Sequence, residues 1–193
     1  KGHEPILLSG SIGAILYERG VFINRSFEEV NLSDPNLVSK ICQEFIDAGV
    51  KVLLTNTWAA NACKLASFGL VNKMKSINEN GVKICKDVAK GSSVLIAGVV
   101  GPLGVRIEPW GPTSLDDAKQ FFKEQIQILF DQGVDLFVLE SFGDLYEIQQ
   151  AIRAVKEVCS LPIVALMEVD EEGRSLYGTE VSWCVQKCDE WGA

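Results

Sequence analysis

The segment Phe130-Asp131-Gln132-Gly133-Val134-Asp135-Leu136-Phe137-Val138-Leu139-Glu140 changes character at its glycine. Before Gly133, the apolar residues Ala118, Phe122, Ile126 and Phe130 recur every four positions, as on one face of a helix. Gly133 falls just past the last helical turn, where a left-handed cap favours a residue without a side chain. A short run of consecutive apolar residues follows, which suits a strand buried on both faces of a parallel sheet. Glu140 closes that run. The same joint occurs at Ile46-Asp47-Ala48-Gly49-Val50, leading into Lys51-Val52-Leu53-Leu54-Thr55. It returns a third time at Asp189-Glu190-Trp191-Gly192-Ala193.

The rest of the chain fits this rhythm. Residues 5–9 read as a first strand, 51–55 as a second, 93–100 as a third, 135–140 as a fourth and 162–169 as a fifth. Amphipathic helices lie between them. One carries Leu37, Val38, Ile41, Cys42 and Phe45 after a cap at Ser33 or Asp34, with Pro35 in its first turn. Others carry Met74 to Val88, Ala118 to Phe130, Ile148 to Cys159, and Val181 to Cys188. Alternating strands and helices predict right-handed βαβ units, in a barrel or in an open doubly wound sheet. Gly10-Ser11-Ile12-Gly13 is no G-x-G-x-x-G fingerprint of a dinucleotide fold. The favoured class is therefore α/β, a (β/α)8 TIM barrel. A complete barrel takes about 250 residues, and the third joint sits where a sixth strand would begin. Residues 1–193 are expected to be the N-terminal part of a single barrel, holding its first five β/α units.

Composition narrows the partners. Net charge is −8 and the basic residues are scattered, which excludes a phosphate-tracking surface and a basic membrane patch. No apolar run is long enough to span a bilayer. Residues 1–9 hold only a five-residue apolar patch without a small-residue cleavage site, so no retained signal peptide is expected. Six cysteines without a compact framework point to reduced thiols in a cytoplasm. Cys42, Cys85, Cys159, Cys184 and Cys188 fall on apolar helix stripes and read as core. Cys63 alone falls near the expected site, and His3, the sole histidine, sits at the start of the chain.

Barrel sites are built at the carboxyl ends of the strands. Those ends read Ser9-Gly10-Ser11-Ile12-Gly13, Thr55-Asn56-Thr57-Trp58, Gly101-Pro102-Leu103-Gly104, Glu140-Ser141-Phe142-Gly143-Asp144 and Glu168-Val169-Asp170. The small residues around Gly10 and Ser11 would present backbone N–H groups to an anion, or simply form a tight turn. Asn56 and Thr57 offer short polar side chains at a strand tip. Glu140 would hold a carboxylate at the barrel mouth, partly desolvated, where a cationic partner is required. A bound ammonium or a neighbouring Lys or Arg would each serve. The loop 101–114 is long for a βα connection and reads as a lid or as surface decoration.

Taken together, these pieces resemble the homocysteine S-methyltransferase family. The matching motifs are Gly10-Ser11-Ile12-Gly13-Ala14-Ile15-Leu16, Ala48-Gly49-Val50-x4-Thr55-Asn56-Thr57-Trp58-x2-Asn61 and Gly98-x2-Gly101-Pro102-Leu103-Gly104. They continue with Gln125-x3-Leu129, Gly133-Val134-Asp135-x4-Glu140, Asp144-x2-Glu147, Leu161-Pro162-Ile163 and Gly173-Arg174-Ser175-Leu176-x-Gly178-Thr179. The last looks most like bacterial members that carry a fused methylenetetrahydrofolate reductase domain. The resemblance implies methyl transfer to the thiol of homocysteine, giving methionine. It also implies a zinc ion held by three cysteines that lowers the thiol pKa. Those cysteines lie in G-x-N-C and G-G-C-C motifs at later strand ends, which do not occur in this chain, so no metal ligand is expected here. The carried-over substrate residues are Glu140 for the ammonium, Asn56 and Thr57 in the second strand-end motif, and Ser9, Gly10 and Ser11 at the first. The family has Asp where this chain has Ser9. The methyl donor is S-methylmethionine, methylcobalamin or methylfolate, or betaine. The remaining alternatives are another β/α-barrel enzyme, a lyase or isomerase, and a non-catalytic relative used as a binding module.

Overall fold

The structure, a computed structural model, describes residues 5–193; His3 lies outside them. In chain order the elements are α1 (Ile12–Glu18), α2 (Val30–Ser33), α3 (Pro35–Asp47), β1 (Val52–Leu54), α4 (Ala62–Ala66), α5 (Met74–Ala89) and β2 (Leu95–Val100). They continue with α6 (Leu115–Asp131), β3 (Leu136–Phe142), α7 (Leu145–Val158), β4 (Ile163–Met167) and α8 (Val181–Glu190).

Short polar side chains start the long helices. Asp34 accepts from the Leu37 N–H with Pro35 in the first turn of α3, as expected. Ser114 does the same for Asp117 at α6, and Asp144 for Tyr146 at α7. Each such cap satisfies an N–H that the helix itself cannot, worth about 1 kcal/mol. The three joint glycines, Gly49, Gly133 and Gly192, all take positive φ, at 91°, 75° and 87°. A side chain there would be strained, and this is why the same dipeptide rhythm marks each passage from helix to strand.

All strand pairs are parallel, in the order β1-β2-β3-β4. The expected first strand is reduced. Among the described residues it makes only a bridge between Leu8 and Val52, beside β1, with Ile6 and Leu7 more than half exposed. The segment has β1 on one side and no strand on the other, so neither its ladder nor its apolar side chains are completed. β3 runs two residues beyond its expected end, so Glu140 lies within the strand.

The two faces of the sheet decide between the architectures. Leu53, Ile96, Val100, Phe137 and Leu139 point one way and pack with the helices in one continuous core. Phe122 of α6 and Phe137 of β3 are fully buried there, and side chains of that size contribute roughly 1.5–3 kcal/mol each. The alternate residues Val52, Leu54, Ala97, Val99, Leu136 and Val138 point the other way. They form a second apolar layer with Leu8, Trp58 and Val164, to which no helix contributes. A doubly wound sheet would carry helices on both faces. Helices on one side and a strand-lined interior on the other make a partial β/α barrel, as the sequence suggests.

Candidate functional site

The carboxyl ends of the strands surround a cleft of ≈ 520 Å³. Leu54, Thr55 and Val99 form its floor, at the top of the strand-lined interior. The turn from Gly10 to Gly13 walls one side, and Glu140 and Ser141 the other. Ser11 caps α1 by accepting from the Ala14 N–H. The first N–H groups of that helix have no partner within it, and their turn borders the cleft.

Glu140 sits where the β3–β4 register slips between Leu139 and Phe142. Its neighbour Ser141 has φ 62°, the one non-glycine residue with positive φ among those described. The Glu140 carboxylate makes no hydrogen bond or ion pair with the described residues, and burial pushes its pKa up from the ordinary carboxyl range. Glu28 and Glu168 border the same cleft. Glu28 is nearly buried and fixed at both oxygens, by the Ala59 N–H at 3.0 Å and the Ser26 hydroxyl at 2.9 Å. The cleft thus gathers carboxylates around apolar walls, and its chemistry favours a cationic group on a small ligand.

The remaining expected site residues divide. Gly10, Ser11 and Asn56 border the cleft with Glu140. Asn56 spends its amide N–H groups on Phe27 C=O and Asn31 Oδ1, both at 2.9 Å. Ser9 and Thr57 do not line it. Ser9 is buried, and its Oγ accepts from the Leu54 N–H at 2.9 Å, tying the Leu8 segment to β1. Thr57 is fully buried and donates to Val99 C=O at 2.7 Å, joining β1's end to β2.

Below this loop a set of carboxamides interlocks. Asn31 of α2 donates to Asn56 C=O and Ile77 C=O. Asn78 of α5 donates to Ala60 C=O and Met74 C=O. Gln125 of α6 donates to Thr57 C=O at 2.7 Å and Asn78 Oδ1 at 3.2 Å. The Gln125 Oε1 is the one buried side-chain oxygen left without a partner among those described.

Trp58 and Lys64 were not legible as partners. Trp58 donates its indole N–H to Glu140 C=O at 3.0 Å, across 82 residues of chain. The Lys64 ammonium lies 3.4 Å from the Trp58 ring centroid. Burial lowers the Lys64 pKa, and Glu28, Glu147 and Glu168 oppose that fall. Neither Glu28 nor Lys64 stands in a motif that would single it out: Glu28 reaches the site from the turn before α2, and Lys64 from the five-residue helix α4.

A second cavity of ≈ 670 Å³ adjoins the first and shares Ser141 and Glu168 with it. Loop 101–114 walls this cavity and does not border the cleft at Glu140. Leu103 and Ile107 anchor the loop in the core, and Trp110 stacks on Tyr177 at 4.5 Å. Glu147, buried at the start of α7, accepts from the Leu103 N–H at 2.8 Å. Desolvation pushes its pKa up to about 7, raised further by Asp144 and offset by that N–H and by Lys64. Cys42, Cys85, Cys184 and Cys188 are buried, whereas Cys159 ends α7 half-buried. Cys63 borders neither cavity, and burial raises its pKa. Among the described residues, no group of three or more His, Cys, Asp or Glu side chains is placed to hold a metal ion.

The family profile described as Homocysteine S-methyltransferase matches residues 6–192. Betaine–homocysteine S-methyltransferase 1 of Rattus norvegicus is 28% identical over 169 residues, 86% of this chain and 40% of that protein. The Sus scrofa protein of the same name is 27% identical, with 86% and 59% covered. Methionine synthase of Mycobacterium leprae is 22% identical over 164 residues, 80% of this chain and 14% of that protein. The chain therefore spans less than two thirds of each of these relatives, from 14% to 59% of their length. The metallated form of the homocysteine methyltransferase MmuM from Escherichia coli superposes with a TM-score of 0.83 at 20% identity. That match covers 96% of this chain and 71% of the MmuM chain, and it shows the shared barrel fold.

Proposed function

This chain belongs to the homocysteine S-methyltransferase family, and from that premise we propose that its cleft receives the amino-acid end of homocysteine. The observation that carries the proposal is the Glu140 carboxylate, partly desolvated at the cleft and unpaired among the described residues. An ammonium group would restore the hydrogen bonds and the counter-charge that the protein withholds. The substrate carboxylate would then lie toward the Gly10–Gly13 turn, whose N–H groups open α1. Asn56 shapes the wall between them. Ser9 and Thr57 support the arrangement from beneath, through their bonds to Leu54 and Val99.

In this reading the chain supplies the first five β/α units of one barrel, and methyl transfer to the homocysteine thiol belongs to the whole barrel. Helices on one side only and a strand-lined interior to which no helix contributes support that view. Zinc is implied by the family resemblance and would supply thiol activation. The described residues of this chain offer no ligand set for it. Free cysteines throughout favour a reducing compartment such as the cytoplasm. Among the described residues no helix is long and apolar enough to cross a membrane.

The test is calorimetric titration with L-homocysteine and with 4-mercaptobutyrate, which lacks the amino group. Glu140→Gln keeps the shape and removes the charge. Homocysteine affinity should fall roughly 10- to 150-fold, as expected for a charge-assisted bond, while 4-mercaptobutyrate should bind as before. Equal losses for both ligands would show that Glu140 supports the site without reading the amino group.

A further inference from the structure

Glu140 sits on an irregular piece of backbone, and something must hold it there. In a regular parallel strand, carbonyls are taken by N–H groups of the neighbouring strand. At Glu140 the register with β4 slips, and Ser141 adopts a φ of 62° that a residue with a side chain takes only under constraint. The β2–β3 pairing ends at Val100 and Leu139, so the Glu140 carbonyl just beyond it, in a half-buried place, requires another donor. It has one: the Trp58 indole N–H, at 3.0 Å.

The indole is itself held on several sides. It leaves the loop after β1 and crosses the end of β2, where the Gly101 N–H donates to Trp58 C=O at 2.9 Å. A Cβ on Gly101 would lie 2.4 Å from the indole nitrogen and 2.5 Å from its neighbouring ring carbon, so only glycine lets the ring pass. The Lys64 ammonium over the ring adds a cation–π contact. One side chain thus links the ends of β1, β2 and β3. Tryptophan suits the task because it combines a wide apolar ring with a nitrogen that can only donate.

We infer that Trp58 is a positioning residue for Glu140: its N–H pins the Glu140–Ser141 peptide and so aims the carboxylate into the cleft. The inference rests on the reading of Glu140 as the ammonium acceptor, but its geometry can be tested apart from any ligand.

The first arm follows the Glu140 carboxyl by carbon NMR titration, assigned with Glu140→Gln. In the unaltered chain it titrates above the ordinary carboxyl range. Trp58→Phe keeps an aromatic ring and removes the donor, so the released carboxylate should meet water and titrate at a lower pH. The second arm measures L-homocysteine binding at pH 8, where an introduced imidazole is neutral. Trp58→Phe should weaken binding roughly fivefold, the range of one neutral hydrogen bond. Trp58→His places Nε2 where the indole nitrogen stood and should bind more tightly than Trp58→Phe despite its smaller ring. An unchanged Glu140 titration in Trp58→Phe overturns the inference. So does tighter binding by Trp58→Phe than by Trp58→His, because ring bulk and not the donor would then matter. If Glu140→Gln leaves homocysteine binding intact, the ammonium reading falls, and the titration arm alone still decides whether Trp58 positions the carboxylate.

Discussion

Glu147 is a carboxyl that the folded protein prefers to keep protonated, and replacing it with glutamine should stabilise the chain above neutral pH. Its pKa is raised from 4.5 to about 7, chiefly by desolvation. The unfolded chain releases this proton near the ordinary value, while the folded protein keeps it until about pH 7. Stability therefore falls as pH rises between those two values, and the full penalty stands above the upper one. The gap corresponds to about 3 kcal/mol. That figure is a ceiling, since ionised Glu147 also supports the Lys64 ammonium. Glu147→Gln keeps a carbonyl oxygen for the Leu103 N–H, now accepted at 2.8 Å. The variant should exceed the parent by only about 1 kcal/mol at pH 5 and by up to about 3 kcal/mol at pH 8, the latter on the order of 6–12 °C in Tm. Urea unfolding followed by circular dichroism at pH 5, 6, 7 and 8 reads this directly. Other titrating groups are common to both proteins and cancel in the difference. Parallel pH profiles for the two proteins would refute the reasoning.

Two further substitutions probe the frame of the cleft. Gly101→Ala sets a methyl group against the Trp58 ring, within 2.4 Å of its nitrogen, and should cost about 1–3 kcal/mol as overpacking does; an unchanged urea midpoint would mean the ring shifts freely. Ser9→Ala leaves the buried Leu54 N–H without its acceptor and should cost about 1–3 kcal/mol of stability. Because Ser9 supports the cleft without bordering it, any loss of homocysteine affinity should accompany this loss of stability; weaker binding at unchanged stability would place Ser9 in the ligand's reach.

The barrel was legible because its signals are local. Asp34 with Pro35 announces α3, and Gly49, Gly133 and Gly192 announce the passages into strands, since each feature is settled within a turn of chain. The strand-end rule likewise placed Gly10, Asn56 and Glu140 on one cleft, for the pleat and the parallel order leave them nowhere else to go. Short helices escaped this reading. α1, α2 and α4 run seven, four and five residues, too few for a periodic pattern to build up. The state of residues 5–9 was not legible either, because an apolar run does not say whether its second neighbour is present. Trp58 and Glu28 were hidden for a different reason. Their partners, Glu140 C=O and the Ala59 N–H, are backbone atoms brought near by topology, and backbone atoms leave no trace in residue identity.

The carboxamides under the cleft constrain how this site can be altered. Asn78 donates to Ala60 C=O and receives from Gln125, while Gln125 in turn holds Thr57 C=O. Exchanging any one of them strands the group it served, at the cost of a buried, unsatisfied polar atom. Replacing the set together by apolar residues would not escape that cost, because the acceptors at Asn56, Ala60 and Thr57 are backbone carbonyls that remain. Neutral drift or engineering by single steps is therefore barred from the loop after β1. A change of ligand preference at this mouth must instead run through Tyr17 and Ile23, which border the cleft, are largely exposed, and hold up nothing beneath them.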